Sequence, residues 1–507
     1  MPLVKAYVGS FTLAATGGVD TVTRSGIVDR FGASFTPTVL LFLMPVASGG
    51  FTRAMSFGAV TAALSEAVHG AMTNRTSPAR SAVGRPHVGG RVQTPDSSQI
   101  ISFTVSNFQS GSFDTTRSVT GSPGDQTVIF IALGGDVQGK IGTLTVPSGT
   151  APVSQTTSGL GIGQVTGLIL FMDAATTAEG NGGSGNINLG VGWAAGVSAR
   201  SYSVMRSVDN VTTTVARRIQ SASKVWGSIS NTGLLNEVDV TSFGNSEFTL
   251  SWTTNTRPND LCRYLALSSV DLAAGSIDEN ASTGNQSITG LARRPLACLF
   301  QSANAATASG NQATGRKSLG FGGDQGSGAL GQGNGFAGQD DATAAGSADA
   351  VSTVSASTLL QMRDPDGTLQ DELTLSTLNS DGLTFNIGTA SGTAKELLYL
   401  AFLDGQITPA VGSLALAGLV PSAVRGTRFQ PLAGALVLTG LETRVGRGTL
   451  LRPAIGAAVL TGQTPELVGP GGSARTPTVG SVVLAGQIAA PVQGTVLTPK
   501  IARREGT

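Results

Sequence analysis

The sequence predicts an all-β protein: three tandem antiparallel β-sandwich units followed by an extended array of short β-strand repeats. Three observations carry this. Helix formers are scarce, and Val, Ile, Thr and Phe alternate with small polar residues at the two-residue period of a strand. Four landmarks recur three times in the same order, in a unit of roughly 135 residues. Beyond residue 405 a shorter repeat takes over, with a step of about 22 residues.

The first landmark is an apolar strand ending in Leu-Phe: Leu41-Phe42, Leu170-Phe171 and Leu299-Phe300. The second is a strand of small residues around Gly58, Gly190 and Gly320. The third is a hairpin whose turn is opened by Phe108, Phe243 and Leu378 and closed by Phe113, Phe248 and Leu383. The fourth is a closing strand carrying Phe130, Tyr264 and Tyr399, which are read as core aromatics. Turn signals such as QSGS, GNSE and NSDG separate short alternating strands, the pattern of a sandwich. The apolar first and last strands are expected at the centre of each sheet, buried on both faces. The units are placed at 1–136, 137–271 and 272–405.

Residues 406–507 repeat the pattern P-x-x-G-x-x-x-L-x-G. The copies run Pro409 to Gly418, Pro431 to Gly440, Pro453 to Gly462 and Pro477 to Gly486, with Pro499 opening a truncated fifth. Each copy predicts one short strand. A lone strand cannot bury its face, so these strands must pair with each other, with other chains or with a host surface.

Composition narrows the function. Lys and Arg total 32 against 31 Asp and Glu, a net charge of +1, so no basic excess points to nucleic acid. Charged residues are 12%, about half the usual share, and glycine at 70 residues is about twice its share. Such a composition suits a protein that lies against neighbours or folds into many turns. The apolar run from Val39 to Ala47 is too short to span a bilayer, and the opening MPLVKAYVGSFTL lacks the apolar core of a signal peptide. Synthesis in the cytoplasm without export is therefore expected, and no membrane insertion.

Candidate chemistry is thin. His69 and His87 fall in a loop-like stretch without further metal ligands or a nucleophile elbow. The segment from Gly134 to Lys140, GGDVQGK, imitates a phosphate loop. Ile141 stands where the Ser/Thr should be, and the residues after it alternate like a strand, so the segment is read as the linker between the first two units. GNGFAG, Gly333 to Gly338, lies in a Gly-rich tract from about Ser302 to Gly346, read as a surface loop and not a dinucleotide site. Asp364, Asp366, Asp371 and Glu372 gather carboxylates as a Ca²⁺ site would, yet DPDG is also a turn signal and the EF-hand spacing is not met. Cys262 and Cys298 stand in no CxxC pair and are read as small hydrophobes. No catalytic, cofactor-binding or metal residue is assigned; a cation at the four carboxylates and a Cys262–Cys298 bridge stay open.

Tyr7 to Leu13 (YVGSFTL) with Phe35 to Phe42 (FTPTVLLF) resembles modules in structural proteins of tailed bacteriophages, and the 22-residue array is similar to repeats in phage tail and fibre proteins. The resemblance implies a component of the virion and carries over no catalytic residue; the lack of a convincing catalytic motif makes a non-enzymatic role the expectation. The leading expectation is a tail fibre or tail-tip appendage mediating assembly and host contact. Its partners would be other virion proteins, copies of itself and a host glycan or receptor. Alternatives are a capsid decoration protein and a carbohydrate-binding adhesin or depolymerase. Exposed aromatic platforms would favour the adhesin, but Trp193, Trp226 and Trp252 are few.

Overall fold

The computed structural model describes residues 3–405 apart from 16–18, 48–51, 63–65, 75–80, 88–91, 94–99, 122–123, 173–180, 184–185, 209–212, 306–311 and 344–349. Past 405 it describes nine short strands, and there, as at 45–54, 63–100, 172–187 and 350, only backbone is described. Among the described residues there is no helix. Residues 1–405 form one compact unit and 406–507 a second.

The first unit holds three sets of strands. The first set is β1 (Val4–Leu13), β2 (Asp20–Ser25), β3 (Pro37–Ala47), β4 (Thr52–Thr61), β5 (Glu66–Asn74), β6 (Ser81–His87), β7 (Val92–Gln93), β8 (Ile100–Gln109), β9 (Ser112–Thr120) and β10 (Gln126–Gly135). The second is β11 (Gln138–Thr145), β12 (Val153–Thr157), β13 (Val165–Met172), β14 (Asn181–Gly183), β15 (Asn186–Ala194), β16 (Arg200–Val208), β17 (Ala216–Ser221), β18 (Trp226–Ile229), β19 (Leu234–Gly244), β20 (Glu247–Asn255) and β21 (Leu261–Ser268). The third is β22 (Asp271–Asp278), β23 (Gly284–Ile288), β24 (Pro295–Ser302), β25 (Gln312–Ala313), β26 (Gly315–Asp324), β27 (Leu330–Gln339), β28 (Ala350–Ser355), β29 (Leu360–Arg363), β30 (Leu369–Asn379), β31 (Gly382–Thr389) and β32 (Glu396–Leu403).

One strand order recurs in all three. The large sheets run β1-β10-β3-β4-β5-β6, β11-β21-β13-β15-β16-β17 and β22-β32-β24-β26-β27-β28. The small sheets run β2-β9-β8-β7, β12-β20-β19-β18 and β23-β31-β30-β29. Even the irregularities repeat: one extra residue bulges the hairpin strand at Ser106, Thr241 and Ser376. The hairpin pairs Phe108–Phe113, Phe243–Phe248 and Leu378–Leu383 face each other across the ladder.

Between its two sheets each set packs an apolar core. In the first set Phe42 contacts Phe103 and Phe130 at ring separations of 5.0 and 6.4 Å. Opposite Phe130, Tyr264 and Tyr399 the neighbouring strand carries Gly9, Gly142 and Gly275. A Cβ at Gly142 would stand 2.3 Å from the Tyr264 hydroxyl and one at Gly275 2.7 Å from that of Tyr399, so the ring lies over a strand position that only glycine leaves open.

The ladder corrects two landmarks in the second set. Phe42 pairs with Phe130 and Phe300 with Tyr399, but Tyr264 pairs with Leu170, not Phe171. Phe171 is one residue along, and a one-residue step turns a side chain to the other face of its sheet. The glycine opposite Leu170 is Gly192, two residues past Gly190, and it matches Gly58 opposite Phe42 and Gly320 opposite Phe300.

The Gly-rich tract is also corrected. GNGFAG is not a surface loop but part of β27, and Gly333, Asn334, Gly335, Phe336, Ala337 and Gly338 are all buried. Small residues are needed there because strands approach backbone to backbone: a Cβ at Gly331 would lie 2.2 Å from the Val8 carbonyl oxygen. The stretch holding His69 and His87 is likewise not loop throughout; the two residues lie in β5 and β6. GGDVQGK ends β10 and opens β11, leaving a connection of two residues, Asp136 and Val137.

Among the described residues of 406–507, the first three repeats each carry more than one strand. Leu414–Ala417, Leu436–Thr439, Ala458–Thr461 and Val482–Ala485 pair in parallel, Leu414 with Leu436 and Leu436 with Ala458. A second parallel row joins Ser422–Ala423, Glu442–Val445 and Thr464–Leu467, and a third joins Arg428–Phe429 to Leu450–Leu451. Successive repeats therefore supply one another's hydrogen bonds, the arrangement of a stacked coil. Pro499 lies outside the described residues.

Gly192 gives a test of the close packing. Its Cβ would meet the Val225 carbonyl oxygen at 1.9 Å, as one at Gly320 would meet that of Leu359 at 1.8 Å. Gly192→Ala should lower stability by about 1–3 kcal/mol. Gly163→Ala, with open space around it, should be near neutral. Denaturant midpoints of the two variants check this.

Candidate functional site

Each large sheet has a second face, turned away from its own small sheet. These three faces meet in one shared core. Leu41, Ile169 and Leu299 come to it from β3, β13 and β24, and Ile131, Leu265 and Leu400 from β10, β21 and β32. Phe57 sits between the sets, 4.9 Å from the Phe171 ring and 5.9 Å from the Phe321 ring. The slip at Phe171 thus has a role, because it delivers an aromatic ring to the shared core. Trp193 Nε1 donates to the Tyr399 carbonyl at 3.0 Å, from the second set to the third. The Arg30 guanidinium and the Asp404 carboxylate, 2.6 Å apart, tie the first set to the last.

Two added strands link the sets further. β14 pairs with β6 of the set before it, and β25 pairs with β17 in the same way. Where the chain passes from set to set, a cleft of about 780 Å³ is lined by Thr38, Asp136, Gln138, Thr166, Ser269 and Asp271. Its carboxylates are engaged: Asp136 accepts from the Leu3 amide at 2.7 Å, and Asp271 pairs with Arg293. The cleft is a polar seam in which these carboxylates are already bonded.

One layer of the shared core is polar, and the sequence reading missed it. At register positions where the first set has Leu43, Ile129 and Met55, the second has Phe171, Arg263 and Leu189, and the third has Gln301, Leu398 and Lys317. Arg263, Gln301 and Lys317 are all 0% exposed. Lys317 Nζ donates to the Ser203 carbonyl at 2.9 Å and contacts Ser203 Oγ and Gln301 Oε1. Ser203 Oγ also donates to Gln301 Oε1 at 2.9 Å. Beside them Gln220 Nε2 donates to a Glu396 carboxylate oxygen at 2.9 Å, and the Ala303 amide donates to Gln220 Oε1 at 2.7 Å. Burial holds the Lys317 amine well below the ordinary lysine range. The available signal was positional: Gln301 directly follows one Leu-Phe landmark and Lys317 directly precedes one small-residue landmark.

The other candidates are placed as follows. Cys262 and Cys298 are buried and unbridged, and burial raises both thiols far above their usual range. Asp364 and Asp366 belong to the turn between β29 and β30. Asp364 pairs with Arg316 at 2.5 Å, and Thr368 donates twice to Asp366, which lowers that carboxyl's pKa. Asp371 accepts from the Ser391 amide at 2.7 Å and Glu372 from Gln361 at 2.7 Å. Each carboxylate thus has its own partner, and among the described residues no three His, Cys, Asp or Glu side chains gather as metal ligands. The side chains of His69 and His87 lie outside the described residues. Trp193, Trp226 and Trp252 are all 0% exposed, so none forms a surface platform. Among the described residues no helix is long and apolar enough to cross a membrane.

No protein-family model matches this chain, and no curated protein is significantly similar to it.

Glu279, just past β22, is pushed up to about 8, first by burial and then by the negative charge of Asp371, against the pull of Lys395. Between its ordinary value of 4.5 and about 8 the folded chain holds this proton more tightly than the unfolded chain. Stability should therefore fall as pH rises through that window and level off above it. Glu279→Gln removes this part of the slope. Urea midpoints at pH 5 and pH 8.5 read it, and equal slopes in the two proteins would refute the assignment.

Proposed function

We propose that this chain is a non-enzymatic structural component of a tailed-phage virion, a tail fibre or tail-tip appendage serving assembly and host-surface contact. The observation that carries the reading is the threefold repetition of one sandwich around one shared core, in a chain that continues into parallel in-register repeats. Such a body presents three like faces to its surroundings, and among the described strands the ends of the repeat rows, Leu414–Ala417 and Val482–Ala485 in the longest, have one unpaired edge for a neighbour. Its partners are other virion proteins and copies of itself, with a host glycan or receptor at the free surface. A second reading, capsid decoration, is favoured by the same repetition, because three like faces match a threefold site on a head. The three tryptophans are buried and supply no surface platform of the kind the adhesin reading would use.

Mass spectrometry of separated phage heads and tails tests the station. Recovery with tails is expected, recovery with heads favours decoration, and recovery only outside particles rejects both. Deleting residues 406–507 should leave a soluble body that no longer joins the particle. Normal incorporation of that truncation would remove the anchoring role of the repeats.

A further inference from the structure

The polar layer of the shared core brings an amine and a carboxamide together where water is excluded. Lys317 on β26 and Gln301 on β24 are both fully buried, and Lys317 Nζ lies 2.5 Å from Gln301 Oε1. Lys317 has no ion-pair partner at salt-bridge distance among the described residues; its contacts at Ser203 and Gln301 are neutral oxygens. Burial favours the unprotonated form of such an amine, which is the nucleophilic form. The electrophile is prepared too. Ser203 Oγ donates to Gln301 Oε1 at 2.9 Å, so a hydroxyl is aimed at the oxygen that gains charge when the carbonyl carbon is attacked.

We propose that Lys317 and Gln301 form an intramolecular isopeptide bond. The Lys317 Nζ lone pair adds to Gln301 Cδ, a C–N bond forms, and the Cδ–Nε2 bond breaks. One proton passes from Nζ to Nε2, which leaves as ammonia. Nothing is oxidised or reduced, and no co-reactant is needed. The product ties β24 to β26 and closes the segment between them, whose strand β25 pairs with β17 of the preceding set. It also replaces a buried amine with a neutral amide, removing the cost of keeping an ionisable group in the core. The first set needs no such bond, because Leu43 and Met55 occupy the matching positions.

Intact-mass measurement of the full-length protein tests this. The expected mass is about 17 Da below that of the sequence, one ammonia lost. A protease digest should contain a branched peptide joining the Gln301 and Lys317 segments. Lys317→Met, which copies the first set, should restore the full mass and the two linear peptides. Ser203→Ala should keep some branched peptide, since serine assists and is not joined. Full sequence mass with linear Gln301 and Lys317 peptides in the wild-type protein would overturn the proposal. So would a 17 Da loss that survives Lys317→Met but disappears in Ser203→Ala, because the link would then be a serine ester.

Discussion

The structure of the first unit depends on a simple imbalance of area. Each large sheet has two apolar faces and only one small sheet to cover them. Along β3 the residues from Val39 to Met44 are buried without a break, not alternately. Half of them face the set's own sandwich core and half face away. A face carrying Leu41, Phe57, Ile129 and Ile131 cannot stay in water, since each such side chain contributes about 1.5–3 kcal/mol when buried. Three large sheets solve the problem by covering one another. The sandwiches are therefore sectors of one body, not beads on a string, and the compact unit runs unbroken to residue 405.

This explains which parts of the fold were legible in the sequence. The hairpin landmarks were read in correct register because a strand with one wet face keeps its alternation, and the apolar residues mark the inner side. The Leu-Phe strands were harder for the opposite reason. When both faces are buried, alternation disappears, and nothing in VTGLILF tells Leu170 from Phe171 as the residue facing Tyr264. The Gly-rich tract failed for a related reason. Glycine usually signals a turn, but in β26 and β27 it permits a carbonyl from elsewhere in the chain, that of Val8 in β1 or of Leu359 just before β29, to approach the backbone. The signal was for closeness, and closeness needs the partner to be known.

The 22-residue repeats show the same limit from another side. The P-x-x-G-x-x-x-L-x-G pattern located the row that begins at Leu414, Leu436, Ala458 and Val482. It missed the strands at Glu442–Val445 and Thr464–Leu467, which share little sequence and are related by position in the repeat alone. A repeat period predicts that something recurs. It does not say how many strands fit within one period.

Fusing three sectors into one chain has a further consequence. In a symmetric homotrimer any residue placed on the axis appears three times, so a buried Lys would bring three charges into one core. Here the sectors share a backbone pattern but differ in side chains, and a position can be apolar in one and polar in another. Met55, Leu189 and Lys317 occupy one register position, and only the last can ionise. The Lys317 cluster lies at the junction of the second and third sets, where Ser203 bonds to Gln301 and Gln220 to Glu396. The junction of the first and third sets instead uses the Arg30–Asp404 pair and the close approach at Gly331. Joints of this kind make the three sectors chemically distinct, a difference that identical sectors packed by hydrophobic contact alone would lack.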